Sequence, residues 1–305
     1  MDNGMLLVSP APHVRSKTNT QSIMLDVIIA MLPALIASTI IFGWRALLII
    51  AVCVASCVLF EFLFQKLCKR EVTIGDLSAV VTGMLLAFNL PVRIPIWQAV
   101  FGCLVAIVAV KQLFGGIGKN FANPAITARV VMTISFAGTM TNFATSADAV
   151  SSATPLALMG TEKMPSLLTL FLGNYGGSLG ETCALALIIG FVYLLVRRVI
   201  SWHTTVVFVG TVALFTLCLG QNPLEHVLSG GLLLGAIFMA TDYSTTPSTK
   251  WGKVIFGLGC GIITVLIRFW GSYPEGVSFA ILIMNIVSPY IEKLCAPRPF
   301  GKVGK

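Results

Sequence analysis

Charge is what this sequence has least of. Only 10% of its 305 residues are Asp, Glu, Lys or Arg, against roughly 25% in a soluble globular domain. Water is therefore not the main solvent of this chain. Histidine is scarce too, at three residues. The eight cysteines contain no CxxC pair, and Cys53, Cys57, Cys103, Cys183, Cys218 and Cys260 fall inside apolar runs, where they read as small hydrophobes of packed helices. Four thiolates at ligand spacing are absent, which argues against an iron–sulfur cluster held by this chain alone. No metal site is expected.

What is present in quantity is apolar sequence, 56% of the chain. A run of about 18 apolar residues crosses a ~30 Å hydrocarbon layer as a helix. The runs predict spans near 23–42, 46–65, 74–90, 96–113, 122–138, 181–200, 204–220, 227–241, 254–270 and 274–292. Backbone amides find no partner in lipid, so each crossing must be helical or part of a closed barrel, and these runs exceed the roughly ten residues of a tilted strand. The apolar stretch from Ile23 is too long for a signal peptide and has no small-residue cleavage site after it, so the first helix is expected to stay.

The net charge of +8 needs no nucleic acid to explain it. With the N-terminus placed in the cytoplasm, 15 of the 20 basic residues fall in cytoplasmic segments, among them Lys66, Lys69, Arg70, Lys111, Lys119, Arg197 and Arg198. The other side keeps Arg45, Arg93, Lys163 and Arg268, and Arg129 lies inside the membrane. That bias fixes both termini in the cytoplasm.

Five predicted spans precede the longest polar stretch and five follow it, which inverts the second half relative to the first. The fold class expected is an all-α membrane protein of about ten transmembrane helices in two inverted five-helix halves. An N-terminal arm (1–22), a first half (23–138), an extracytoplasmic loop (139–180), a second half (181–292) and a basic tail (293–305) make up the chain. A weak internal echo joins the halves. Leu77-Ser78-Ala79 leads through Gly83 to Asn89, and Leu228-Ser229-Gly230 leads through Gly235 to Asp242. Short, glycine-interrupted spans at matching positions point to a ligand or ion site between repeats, or else only to close helix packing. A secondary transporter or channel fits that pattern as well as an electron carrier does.

The orientation puts Asn89 near the outer face. It puts Asp242 near the inner face, beside the loop Phe114 to Ala125. That loop is rich in glycine but has no GK[ST] ending, so a nucleotide-phosphate loop fits poorly. Asn120 and Asn123 offer paired donors and acceptors there, with Asn123 also placed to cap a helix beginning at Pro124. Arg129, about 9 Å into that helix at 1.5 Å per residue, requires an acidic or anionic partner. Asp26, Glu61, Asp76 and Glu275 lie nearer span ends, where water access explains most such residues. Asp76 and Glu275 flank short segments and are the ion-pathway candidates.

Several motifs in order resemble one family: the flavin-bearing membrane subunits of the Rnf ferredoxin:NAD complex (RnfD) and of the sodium-pumping NADH:quinone oxidoreductase (its B subunit). They are Ser9-Pro10 with His13 to Lys17, Gly75-Asp76 through Asn89-Leu90-Pro91, Phe114 through Asn120 with Asn123-Pro124-Ala125, Ala240-Thr241-Asp242, and Gly271 through Glu275-Gly276 to Met284-Asn285. The segment Asp148-Ala149-Val150-Ser151-Ser152-Ala153-Thr154 looks like the family's flavinylation signature, with Ser152 where glycine is commonest.

The resemblance implies that Thr154 carries FMN through a phosphoester made by a separate flavin transferase, with Asp148, Ser151 and Ser152 as neighbours in the motif. It implies a second, non-covalent flavin, riboflavin, near the cytoplasmic side, with Asn120, Asn123 and Asp242 matching the motifs associated with it and Arg129 tuning it by charge. The short N-terminal arm favours the Rnf subunit. The chain would then be an electron-transfer subunit of an ion-translocating ferredoxin:NAD oxidoreductase, not catalytic alone. Its expected partners are the other Rnf subunits in the bacterial cytoplasmic membrane, including a second FMN-bearing subunit outside and an NAD-reducing flavoprotein inside.

Overall fold

The computed structural model describes residues 19–144, 151–152, 155–159, 164–271 and 276–296. In chain order the elements are α1 (Thr20–Phe42), α2 (Trp44–Leu67), α3 (Ser78–Phe88), α4 (Ile96–Leu104, continuing as a π-helical segment Val105–Gln112), α5 (Pro124–Ser135) and α6 (Ala137–Met140). A two-residue antiparallel pair follows, β1 (Phe143–Ala144) with β2 (Ser151–Ser152). Then come α7 (Leu167–Leu172), α8 (Ala184–Val196), α9 (Trp202–Cys218), α10 (Pro223–Leu228), α11 (Leu232–Leu234, continuing as a π-helical segment Gly235–Met239), α12 (Lys250–Trp270) and α13 (Val277–Cys295).

Every expected span lands on a helix, but the helices are not ten equal crossings. Four are long and apolar enough to cross a membrane by themselves: α1, α2, α12 and α13. Five are shorter apolar helices, α3, α4 with its π segment, α5, α8 and α9. The expected span at 227–241 is broken after α10, where Gly230 and Gly231 both take positive φ (69° and 67°). That left-handed backbone is open to glycine at little cost, and it ends one helix so that another can start.

Side chains on the bundle's outside are large and apolar, for example Ile40, Leu63, Ile134 and Leu266, as a lipid-facing surface requires. All five tryptophans are exposed, and each sits in the first two residues or the last residue of a helix: Trp44, Trp97, Trp202, Trp251 and Trp270. Indole rings prefer the boundary between hydrocarbon and headgroups, so these positions mark the two edges of an apolar belt. Helix starts are capped locally. Asn19 and Ser22 exchange side-chain and backbone hydrogen bonds at the head of α1 (2.8 and 3.2 Å), and Thr249 Oγ1 accepts from Gly252 N at the head of α12 (3.1 Å).

Inside, α3 has 11 residues, a rise of about 16 Å at 1.5 Å per residue, roughly half a bilayer core. Asn89 follows it and is buried, so it lies deep in the bundle and not near the outer face. Beyond it the chain leaves the helix in turns. Phe88 O accepts from Gly180 N (2.9 Å), Leu90 O accepts from Leu179 N (3.1 Å), and Pro91 bridges Ser178. The end of the stretch expected as an outer loop thus packs inward, with residues 175–182 buried. Non-helical backbone survives at such depth only when other protein groups satisfy it, and these two segments satisfy each other. Gly180 lies against the Phe88 ring, leaving no room for a Cβ.

Candidate functional site

Between the start of α3, the loop 113–123, the end of α8 and the segment after the second π turn lies a cavity of about 740 Å³ including its open mouth. Its walls are apolar, with Val27, Val81, Leu85, Leu194 and Phe238, and its polar groups are few: Asn120, Asn123, Asp242, Lys111, Ser78 and neighbouring hydroxyls. Asn120, Asn123 and Asp242, chosen from sequence on separate grounds, all line it.

Asn123 caps α5, as its position before Pro124 predicts, its Oδ1 accepting from Ala125 N and Ile126 N (3.0 and 3.3 Å). The same amide donates Nδ2–H to Asp242 Oδ2 at 3.5 Å, spanning the two halves of the chain. Asp242 also accepts from Ser244 N (3.4 Å), Ser244 Oγ (3.0 Å) and Thr245 Oγ1 (3.2 Å). Burial nevertheless pushes its carboxyl above the ordinary aspartate range, because desolvation penalises the charged form. Asn120 differs from Asn123: its Oδ1 is buried and has no hydrogen-bond partner among the described residues. A buried amide oxygen left unmatched costs about 1–3 kcal/mol. The Asn120 amide with its unmatched oxygen, the Asn123 amide and the Asp242 carboxyl are a polar set suited to a flat heteroaromatic edge. The residues therefore fit the flavin that the resemblance implies.

Arg129 does not line this cavity. Its Nη1 donates to Asn89 Oδ1 (2.5 Å), and its Nη2 is 3.9 Å from Glu181 Oε2, both side chains being almost wholly buried. The anionic partner that a membrane arginine requires is thus Glu181, a residue whose place in a glycine-rich stretch gives no hint of that role. Glu181 Oε1 in turn accepts from Ser178 N (3.0 Å). Gly231 passes so near that a Cβ would sit 2.7 Å from Glu181 Oε2. Asn89 Nδ2 contacts Met239 Sδ at 3.7 Å, so the two short segments of the internal echo do meet.

Asp76 is a local cap, accepting from Ser78 N (2.8 Å) and Ser78 Oγ (2.5 Å). Asp26 pairs with Arg197 at 3.2 Å and accepts from Tyr193 OH at 3.0 Å. Glu61 is not a water-facing span end but is buried against Lys111 at 2.7 Å. Lys111, counted from sequence among the cytoplasmic basic residues, is 2% exposed. The positive-inside bias stands without it, at 14 to 4.

Thr154, Asp148 and Glu275 lie outside the described residues, as do the side chains of Ser151 and Ser152. Described backbone brackets the motif. Ala144 pairs with Ser151 and Phe143 with Ser152, and a 3₁₀ turn runs from Pro155 to Leu158. Leu156 in that turn packs on Gly230, at the end of the bundle opposite the cavity.

Comparison with known proteins shows the chain's family. The chain is 50% identical over 303 residues to the D subunit of the Na(+)-translocating ferredoxin:NAD(+) oxidoreductase complex of Acetobacterium woodii, covering 97% of this chain and 95% of that protein. It is 38% identical over 316 residues to the D subunit of the proton-translocating ferredoxin:NAD(+) oxidoreductase complex of Clostridium ljungdahlii, covering 96% of each. It is 38% identical over 330 residues to the D subunit of the ion-translocating oxidoreductase complex of Stutzerimonas stutzeri, covering 94% and 93%. The model of the NQR2, RnfD, RnfE family matches residues 7–301. With nearly the whole chain covered in each case, this protein belongs to the NQR2, RnfD, RnfE family.

Proposed function

We propose that this chain is the D subunit of an ion-translocating ferredoxin:NAD oxidoreductase complex and carries electrons between flavins at opposite ends of its bundle. One is FMN joined to the Thr154 hydroxyl; the other is riboflavin held in the cavity lined by Asn120, Asn123 and Asp242. The observation that carries this reading is the meeting of those three residues, from both halves of the chain, around a cavity where Asn120 Oδ1 has no partner among the described residues. The names of the curated relatives support the setting in the complex.

The isoalloxazine rings supply the redox chemistry when bound. The chain supplies the rest. Thr154 contributes the oxygen of the phosphoester, in a motif whose small neighbours Ser151, Ser152 and Ala153 leave room for a flavin transferase. Asn120 and Asn123 present an amide acceptor and donor to the ring edge. Asp242, which accepts from Asn123 across the two halves of the chain, holds that amide against the cavity wall. Val27, Val81, Leu85, Leu194 and Phe238 exclude water from the ring faces. A carrier near each face shortens every electron step across ~30 Å of low dielectric.

The basic end, with the cavity, faces the cytoplasm in this reading; the Thr154 end faces outward, towards a second FMN-bearing protein of the complex. The NAD-reducing flavoprotein docks on the cytoplasmic side, within reach of the bacterial cytoplasmic membrane. The test is the Thr154→Val chain expressed with its flavin transferase. It keeps the shape of the side chain but lacks the oxygen, so denatured protein should show no flavin fluorescence in its band and no FMN mass on the peptide. FMN retained there, on Ser151 or Ser152, overturns the assignment.

A further inference from the structure

One buried charge pair borders the cavity and has no part in the reading above. Lys111 Nζ lies 2.7 and 2.8 Å from the two carboxylate oxygens of Glu61 and 2.6 Å from Ser78 Oγ. Glu61 is also held by Gln112 Nε2 at 2.9 Å and Gln65 Nε2 at 3.4 Å. Both charged side chains are 2% exposed or less. A lysine at the end of an apolar run ordinarily extends its ammonium to water. This one turns inward.

Its position follows from the backbone. Lys111 belongs to the π-helical segment Val105–Gln112, a wider turn than α-helix and one frequent at functional sites. The second π-helical segment, Gly235–Met239, carries Phe238 into the same cavity. Two uncommon turns thus deliver side chains to one wall.

The pair is oriented. Lys111 and Ser78 line the cavity, whereas Glu61 stands behind them and is not among its lining residues. The cavity is thus lined by the lysine and not by its carboxylate partner. Fold stability does not account for this arrangement, since a buried ion pair is often no better than apolar side chains of the same volume. In a largely apolar wall the field of the oriented Lys111–Glu61 pair is screened less than it would be in water.

We propose that Lys111 sets the reduction potential of the group bound in this cavity: its ammonium is the fixed positive charge that meets an added electron, and Glu61 and Ser78 hold it in place. This rests on the cavity being the riboflavin site. Lys111 acts on the redox group through space and is a positioning charge, not a group that exchanges atoms with it.

The experiment uses the full-length Thr154→Val chain, so that riboflavin is its remaining flavin, titrated optically with dithionite in detergent. Three further substitutions are compared in that background: Lys111→Met, Lys111→Met with Glu61→Gln, and Lys111→Arg. The double variant leaves no unpaired buried carboxylate and protects the test against misfolding of the single one. Both variants that lack the ammonium should retain riboflavin and become harder to reduce by at least tenfold in the one-electron equilibrium, a fall of about 59 mV. Lys111→Arg should keep the potential of the Lys111 chain. An unchanged potential in the two variants that lack the ammonium, with riboflavin bound, overturns this proposal and leaves the cavity assignment standing. Release of riboflavin from both makes Lys111 a binding residue and overturns it as well. Absence of riboflavin from the Lys111 chain itself overturns the cavity reading and this proposal together.

Discussion

Arg129 on α5 and Asn89 at the tip of α3 are joined by a hydrogen bond of 2.5 Å, donated by the guanidinium Nη1 to the amide Oδ1. The amide's other end donates back to Leu85 O at 2.6 Å, so Asn89 links a membrane arginine to the last turn of the helix it terminates. Glu181, 3.9 Å from Nη2, balances the charge.

Removing the arginine should therefore damage the fold more than any ligand site. Arg129→Met leaves Glu181 buried without its counter-charge, a loss of about 3–5 kcal/mol. Arg129→Met with Glu181→Gln should recover a large part of it. Thermal unfolding of the detergent-solubilised chain measures both, and equal losses in the single and double variants would show that the two residues are not coupled.

The cavity makes a separate prediction about cofactor content. Asn120→Leu with Asn123→Leu removes the unmatched acceptor and the amide that reaches Asp242, so extractable riboflavin should drop at least tenfold while covalent FMN on Thr154 is unchanged. If riboflavin per chain stays constant, the asparagines serve as caps alone.

His226 gives a pH dependence. Its ring is buried, stacks on Phe269 with centroids 5.4 Å apart, and has no hydrogen-bond partner at either nitrogen among the described residues. Burial, and after it the charge of Arg268, lower its pKa to about 4, against ~6.5 in the unfolded chain. The unfolded state thus takes up the proton first, and stability is lost as pH falls from about 6.5 towards 4. With solvent screening the loss is on the order of 1 kcal/mol, a drop of about 2–4 °C in unfolding temperature. His226→Phe should flatten that part of the profile; an unaltered profile would assign the acid sensitivity to other groups.

Orientation can be read independently of any flavin. A reporter active only in the cytoplasm, fused after Lys305, should be active, and one active only after export should be silent there. The reverse result would place Thr154 on the cytoplasmic side.

Much of this architecture is legible in the sequence because lipid imposes simple rules. Runs of apolar residues become helices, and Asn123 before Pro124 becomes a cap. The meeting of Asn120, Asn123 and Asp242 follows from chain direction alone, since an odd number of spans turns the second half over. Lys111 and Glu181 were not legible. A lysine at the end of an apolar run looks the same whether it reaches water or a buried carboxylate, and only the π-helical turn and the facing Glu61 decide which. Glu181 follows directly on a glycine-rich stretch that reads as the end of an outer loop, and the inward course of that stretch depends on hydrogen bonds to residues about ninety positions earlier. Local sequence carries no sign of such pairings.

Those pairings also set an order of events during synthesis. The carbonyls of Phe88 and Leu90 are answered by the amides of Gly180 and Leu179, and Arg129 waits for Glu181. A nascent chain that has inserted α1 to α5 still holds open backbone groups and an unmatched cation at the heart of its first half, in a medium that offers them nothing. The first half is thus unfinished until the ribosome has passed Glu181.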